Sequence, residues 1–193
     1  MAMSGDKIEM LRAPRIVLPP LANSGRRRNL DDLVCVRFRV VLRLLTTQVM
    51  ALPRRSRLRR FLLARRVLQT YAAVNRRDFD VILAGFDAAI EYRPSGDLMA
   101  PDLETVFHGH DGFRTLWRYW MEAFEDLRWD PEEIFDFGDK VLVMTQQRGH
   151  GSGSGVAVSE RVFQVFTLRG GLVIRQEDFL DRSEALEAAA AAT

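Results

Sequence analysis

Apolar residues recur at three- and four-residue steps in several stretches of this chain, which is the period of a helix with one buried face. Residues 55–78 carry such a stripe, with arginines on the opposite side, and residues 109–124 carry the clearest one. The stripe of the second stretch consists of Phe113, Leu116, Trp117, Trp120 and Phe124. Residues 79–86 and 181–192 are predicted to form two shorter helices.

Runs rich in β-branched and aromatic residues predict five strands. They cover residues 88–94, 127–138, 140–148, 156–168 and 172–180. The order of two helices, a strand, a helix and then consecutive antiparallel strands predicts an α+β fold. We expect a strongly curved, mostly antiparallel sheet with helices packed on its concave face, an arrangement that leaves a cone-shaped cavity for a ligand.

The first third of the chain is strongly basic. Residues 1–66 carry 16 Lys/Arg against 4 Asp/Glu, whereas residues 67–193 carry 12 against 22, although the net charge is only +2. We therefore interpret residues 1–53 as a basic N-terminal extension, either loose or a peripheral amphipathic helix, before a folded domain of residues 54–193. We expect this extension to be disordered or to dock on the domain. Contact with a membrane surface ranks second. No nucleic-acid partner is expected, because no aromatic residues interleave the arginines.

Residues 33–52 are the only candidate for a membrane span or a signal segment. Arg37, Arg39 and Arg43 interrupt them, and a central arginine costs about 2.5–3.5 kcal/mol on insertion scales. The single cysteine, Cys35, excludes an internal disulfide and a cysteine-based metal site. A reducing cytoplasm is therefore the expected compartment.

The turn before the last strand sets which residues face the cavity. A three-residue loop at residues 169–171 would pair Leu168 with Leu172 and align the more apolar faces of the two strands. A two-residue turn at Gly170 and Gly171 would shift the register by one residue and change the partners. We prefer the three-residue loop, which gives one face made of Glu160, Val162, Gln164, Phe166, Ile174, Gln176, Asp178 and Leu180.

Three carboxylates fall within five residues, 177–181, at the end of the last strand. The preferred register gives each of them a different position. Asp178 is expected in the cavity, Glu177 on the opposite face, and Asp181 at the N-cap of the last helix, where Glu184 completes the spacing of a capping box. The opposite face is expected to meet solvent or a partner subunit, with a homodimer interface formed by Arg161, Phe163, Val165, Arg175 and Phe179.

Asp178 is the candidate catalytic residue, because burial against apolar side chains would raise its pKa and make it a better base. The alternative is a structural carboxylate hydrogen-bonded to Gln176 or Arg93. Glu91 and Arg93 share one face of the first strand, either as a pocket pair or as an ion pair at its rim. The other candidate pocket residues are His108, Trp117, Trp120, Glu160, Gln164 and Gln176.

No metal and no other cofactor is expected. His108, His110 and Asp111 lie close together, but a zinc site needs three or four converging ligands. His108 is better placed as a residue at the mouth of the pocket. The two tryptophans of the central helix, Trp117 and Trp120, can line the cavity as well as pack in the core.

Several segments in order resemble the SnoaL-like polyketide cyclase family, within the nuclear transport factor 2-like (ketosteroid isomerase-like) superfamily. They are "VNRRDFD", "EYRP", "FHGHDGFRTLWRYWMEAFEDL", "GDKVLV", "RGHGSGSG", "VFTLRGG" and "DFLDRSEALEAA". The resemblance covers about residues 58–190. The resemblance implies a cone-shaped α+β barrel and a homodimer. It also implies an acid/base aspartate on the last strand, which Asp178 matches.

Two departures narrow what the resemblance implies. SnoaL-type cyclases carry a histidine on the preceding strand, where this chain has Gln164. Limonene-epoxide-hydrolase-like members carry an Arg–Asp pair on the middle strand, where this chain has Val143, Thr145 and Gln147. The expected function is a cofactor-free acid/base isomerase or cyclase acting on a small apolar carbonyl compound. The alternative is a non-catalytic ligand-binding or dimerisation module of the same fold.

Overall fold

The computed structural model describes residues 13–21, 28–96 and 105–192, which form one seven-stranded sheet and six helices. The strands are β1 (Arg15–Val17), β2 (Phe86–Arg93), β3 (Phe107–His108), β4 (Arg128–Asp136), β5 (Lys140–His150), β6 (Ala157–Arg169) and β7 (Leu172–Phe179). The helices are α1 (Leu30–Arg37), α2 (Arg39–Ala51), α3 (Arg57–Arg76), α4 (Phe79–Leu83), α5 (Gly109–Ala123) and α6 (Arg182–Ala190). None of these helices combines the length and the apolar character needed to cross a bilayer.

The strands are ordered β1-β4-β5-β6-β7-β2-β3, and every neighbouring pair is antiparallel except β2 and β7. The predicted α+β class and the predicted strands and helices of residues 55–192 are confirmed. The short strands β1 and β3 lie at the two edges, so the described sheet is open rather than closed into a barrel.

Side chains on the two faces of the sheet enter two separate apolar clusters, since neighbours along a strand point to opposite sides. The larger cluster joins one face to α3, α4 and α5, and it includes Leu116, Trp117 and Val143. The smaller cluster lies between the other face and α6. The expectation that all helices pack on one face is therefore wrong for α6.

The surface predicted for homodimer contact is largely covered by this C-terminal helix. Phe163 and Val165 are buried beside Ala185 and Ala189, two of the small residues through which α6 approaches the sheet closely. Asp181 caps the helix as predicted, accepting hydrogen bonds from the backbone N–H groups of Ser183 and Glu184. The homodimer itself stays a prediction, but its interface cannot use these two strand residues while α6 is in place.

The predicted register of the last two strands is wrong. The predicted inward face is right for Gln164, Gln176 and Asp178, but Val173 rather than Ile174 packs against the larger cluster. The turn has two residues, Gly170 and Gly171, both with positive φ (57° and 79°), as a tight hairpin turn of this twist requires. A β-bulge follows between the pairs Leu168–Val173 and Thr167–Arg175. The bulge shifts the register by a second residue, so Gln164 pairs with Asp178 instead of Gln176, and both still face the larger cluster.

A buried guanidinium joins the N-terminal segment to the domain. Arg59 of α3 is bidentate to Asp136 at the end of β4, with Nε–Oδ2 and Nη2–Oδ1 distances of 2.7 Å. It also donates to three carbonyl oxygens. They belong to Met50, near the end of α2, to Leu52, which follows α2, and to Gly138. Both charged side chains are almost fully buried, so this ion pair is an integral part of the interior.

Other contacts attach the same segment at separate points. Strand β1 pairs with β4. In α1, buried Asp32 forms an ion pair with Arg76 of α3 at 2.6 Å and accepts a hydrogen bond from Gln69 at 3.0 Å. In α2, Arg43 donates to the carbonyl oxygen of Gly170 at 2.9 Å. A loose arm would not make these contacts. The domain boundary after residue 53 and contact with a membrane surface stay predictions.

We expect removal of residues 1–53 to destabilise the protein. The truncation leaves Arg76 without the buried carboxylate of Asp32, and losing one partner of a buried pair costs about 3–5 kcal/mol. At about 2–4 °C per kcal/mol, the thermal midpoint should fall by roughly 10 °C. Differential scanning calorimetry of the two chains, with Asp32→Asn as a point variant, measures this. Equal midpoints would show that the segment contributes nothing to folding.

Candidate functional site

The site is organised around a buried carboxylate that has no cationic partner among the residues the structure describes. Asp178 lies on the inward face of β7, and 4% of its surface is exposed. Its Oδ2 atom accepts a hydrogen bond from the hydroxyl of Tyr92 at 2.5 Å. Its Oδ1 atom accepts from the amide nitrogens of Gln164 at 3.0 Å and Gln176 at 3.1 Å. Three neutral donors on three adjacent strands therefore satisfy the carboxylate.

A second phenol extends this network to the helices. The hydroxyl of Tyr71, in α3, donates to Oε1 of Gln164 at 2.5 Å. The amide of Gln164 is thereby fixed in orientation, since its oxygen accepts from Tyr71 while its nitrogen donates to Asp178. Tyr92 is held by ring stacking against Phe113 of α5, with centroids 5.6 Å apart. The network thus connects α3, α5 and strands β2, β6 and β7.

Burial dominates the electrostatics of the network. It raises the pKa of Asp178 from an ordinary 3.8 to about 6, while hydrogen bonds from Tyr92, Gln164 and Gln176 pull the pKa down. Burial and then the charge of Asp178 raise the pKa of both Tyr71 and Tyr92 well above their usual range. At neutral pH the tyrosines are therefore protonated donors, and Asp178 is a carboxylate poised to accept a proton.

Two adjacent cavities adjoin the network. The larger, of about 80 Å³, lies between α3, the last strands and Thr46 of α2. The smaller, of about 20 Å³, has Gln164, Gln176, Trp117 and Trp129 in its wall. Both share four wall residues, namely Thr70, Tyr71, Phe86 and Phe166. Asp178 is not among the described wall residues; it lies directly behind the glutamines.

Two tryptophans in the wall of the smaller cavity have unpaired hydrogen-bond donors. The indole N–H groups of Trp117 and Trp129 are buried and have no acceptor among the described residues. An unpaired buried donor costs about 1–3 kcal/mol. A ligand oxygen or a water molecule in this cavity could relieve that cost, since about 20 Å³ is enough for one water.

Four predicted site residues fall into the network or the cavity walls. Asp178, Gln164 and Gln176 are brought together by direct hydrogen bonds, and Trp117 lies in the wall of the smaller cavity. Trp120 belongs to the core instead, stacked on Phe124 with a centroid distance of 6.0 Å.

Glu91, Arg93 and His108 lie outside the site. The expectation that they face the pocket is wrong, because Tyr92 occupies the inward position of β2 and its neighbours must point the other way. Arg93 pairs with Glu91 at 3.3 Å on the surface, so it cannot pair with Asp178. His108 is exposed and lies opposite Glu91 in the β2–β3 pair.

Glu160 is also outside the site, since β6 is longer than β7. The last pair of these strands is Phe163–Phe179, so residues 157–162 extend beyond the end of β7. Glu160 is exposed there, opposite Gln147 of β5. Within residues 13–21, 28–96 and 105–192, no group of three or more His, Cys, Asp or Glu side chains is placed so that it could hold a metal ion.

Tyr71, Tyr92 and Trp129 are site residues that sequence reasoning missed. The signal for Tyr92 was present, because Ile90 and Tyr92 are the bulky apolar positions of their strand and so predict its inward face. Tyr71 was assigned to the apolar stripe of its helix, which gives the direction of the side chain but not its hydrogen-bond partner. Trp129 lies in a strand whose alternating apolar pattern predicts that its side chain is buried, but not that it borders a cavity.

Family comparison agrees with this architecture. The family model of the SnoaL-like domain matches residues 67–176, more than half of the chain. The chain belongs to this family. The matched region of this SnoaL-like protein contains Tyr71, Tyr92, Gln164 and Gln176, and it ends two residues before Asp178. No curated protein matches the chain.

Solved structures share the fold of this SnoaL-like chain at low sequence identity. TerC, co-crystallised with polyporic acid, is 24% identical with a TM-score of 0.55, covering 65% of this chain and 95% of TerC. An NTF2-like protein from Burkholderia pseudomallei is 22% identical with a TM-score of 0.56, covering 66% and 96%. A ketosteroid isomerase-like protein from Catenulispora acidiphila, in complex with trimethylamine, is 18% identical with a TM-score of 0.50, covering 64% and 91%.

We expect Asp178→Asn to make the protein more stable at neutral pH. With its pKa raised to about 6, Asp178 binds its proton more tightly in the folded state, so its contribution to stability is lost as pH rises from about 4 to about 6. The advantage of the variant should grow by roughly 1.4 kcal/mol per pH unit in that window and reach about 3 kcal/mol above it.

Urea titrations of the parent and the variant at pH 4, 5, 6 and 8 measure this difference. Glu177→Gln, on the opposite face of the same strand, is the matched control and should show no such slope. A loss of about 3–5 kcal/mol at every pH in Asp178→Asn would instead identify the carboxylate as a structural hub.

Proposed function

We propose that the protein binds a small, mainly apolar molecule bearing an oxygen function and catalyses cofactor-free proton transfer on it, with Asp178 as the base. The observation that carries this proposal is a buried carboxylate with no cationic partner among the described residues and with a pKa raised to about 6, immediately behind the wall of a cavity. Buried carboxylates of this kind are costly, and they concentrate at functional sites.

The cavity walls suit an apolar carbonyl compound. Most of the larger wall is aliphatic or aromatic, from residues such as Leu63, Val67, Val141 and Phe166. In the smaller cavity, the wall residues Trp117 and Trp129 carry buried indole N–H groups with no acceptor among the described residues. A carbonyl oxygen placed there would accept these hydrogen bonds, and they would strengthen as the oxygen gains negative charge in an enolate.

Proton transfer to Asp178 requires a change in the immediate surroundings of the carboxylate. Oδ1 accepts two hydrogen bonds and Oδ2 accepts one, and the carboxylate lies behind Gln164 and Gln176 in the cavity wall, so a substrate must displace a wall side chain to reach an oxygen directly. The Gln176 side chain is the candidate, because it lies between the cavity and Asp178 and contacts the carboxylate through a single hydrogen bond. The proton would leave the carbon next to the carbonyl and return from Asp178 to the product carbon.

A non-catalytic binding protein is the second candidate. The absence of Asp178 from the described cavity walls favours it, since a carboxylate that never meets the ligand would only orient Gln164 and Gln176. Fold relatives have been solved with polyporic acid and with trimethylamine. The fold therefore accommodates small organic ligands, which supports the binding step common to both candidates.

Deuterium exchange into a simple ketone separates the two candidates. Cyclohexanone incubated with the protein in D₂O should exchange the hydrogens next to its carbonyl faster than in buffer, as followed by ¹H NMR. The enzymatic rate should rise with pH to a plateau above about 6, where Asp178 is ionised. Asp178→Asn should lower it by about 100-fold or more.

Glu177→Gln is the matched control and should leave the exchange rate unchanged. If saturation transfer from the protein shows that cyclohexanone binds, but the protein does not speed its exchange, then the protein is a binding module and the catalytic proposal is refuted. If the exchange persists in Asp178→Asn, another residue of the protein must be the base.

A further inference from the structure

A positively charged side chain lies in the wall of the larger cavity, and the function proposed above gives it no role. Arg66, in α3, is one of its wall residues, together with Thr46, Thr70 and Tyr71. Its Nη2 atom lies against Gly85, also a wall residue, so closely that a Cβ atom added there would be 2.6 Å away. Glycine at position 85 therefore leaves space for the guanidinium beside the cavity.

No carboxylate pairs with Arg66 among the described residues. Its Nη1 atom donates to Oε1 of Gln69 at 3.1 Å and lies 3.5 Å from the sulfur of Cys35. The nearest acid in this network, Asp32, is instead ion-paired to Arg76 and hydrogen-bonded to Gln69. Arg59 and Arg65 of the same helix do form ion pairs, with Asp136 and Asp31.

Arg66 is half-buried, and a guanidinium without a carboxylate partner is costly to keep charged to the extent that the cavity wall shields it from water. Burial lowers the pKa of Arg66, although Cys35 and Asp32 partly oppose the shift. Arginine stays protonated in proteins, so the cost falls on the folded state unless an anion offsets it. Planar oxyanions match the fork of guanidinium donors, which makes an organic carboxylate the best-suited partner.

We propose that Arg66 binds the negatively charged group of the ligand, which makes the ligand class a small apolar carboxylate. This inference rests on the ligand-binding function proposed above. The anion would lie at the Arg66 end of the larger cavity, and the apolar remainder would extend past Tyr71 and Phe166 into the smaller one. This orientation keeps the ligand's charge away from the carboxylate of Asp178, which like-charge repulsion requires.

Benzoate and benzyl alcohol are a matched pair of probes for this site. They share the ring and differ in charge, and their binding to the full chain at pH 8 can be measured by ligand-observed NMR titration. Benzoate should bind roughly tenfold or more tightly than benzyl alcohol, as expected for charge-assisted hydrogen bonds to one guanidinium. Arg66→Met should abolish that preference, so that the two probes bind with similar affinity.

Two further variants identify the source of the preference. Arg65→Met removes the same charge from an exposed position on the same helix and should keep the preference. Gly85→Ala keeps every charge but places a methyl group against Nη2 of Arg66, a flexible end that can move, so it should weaken benzoate binding while the protein stays folded. Its thermal midpoint checks the folding, and it decides the question if Arg66→Met does not fold.

The possible failures are distinguishable. If benzyl alcohol binds and benzoate binds no better, the assignment of Arg66 is wrong and the ligand-binding function stands. If Arg65→Met removes the preference as fully as Arg66→Met, the effect is long-range charge and the assignment is again wrong. If neither probe binds, the ligand-binding function fails, and the Arg66 assignment fails with it.

Discussion

A carboxylate buried without a cation can be tolerated only if neutral donors surround it, and this constraint at Asp178 organises the centre of the molecule. Its three donors come from β2, β6 and β7, and Tyr71 adds α3 through Gln164. Each of these elements must hold its position to within hydrogen-bonding distance. The requirement for polar satisfaction therefore fixes where the sheet and helices meet, and it places the cavity on the apolar side of that junction.

Much of the fold was predictable because hydrophobic periods report directly on which face of an element is buried. The α5 stripe and the alternation in β7 gave the helix and the inward direction of Asp178 correctly. The pairing partners were not predictable in the same way. A period of two distinguishes faces but not shifts by an even number of residues, and a two-residue turn followed by a β-bulge produced such a shift.

The parts that sequence reasoning missed share a physical origin, namely polar side chains in buried positions. Arg59 and Arg66 lie in a run of arginines that resembles a solvated helix face, yet one is buried against Asp136 and the other borders the cavity. A charge is read as exposed unless its partner is known, and Asp136 is 77 residues away from Arg59 in the sequence. Only the assembled tertiary structure brings them together.

The turn between β6 and β7 also limits how this chain can vary in sequence. Helix α2 rests on Gly171 so closely that a Cβ atom there would be 2.2 Å from the carbonyl oxygen of Arg43. The positive φ of this residue alone would admit asparagine as well as glycine. The overlying helix removes asparagine from the options, so the tolerance of position 171 depends on residues 39–51. Relatives without that helix should show a wider choice of residues at the equivalent turn, and the two regions should therefore vary together during evolution.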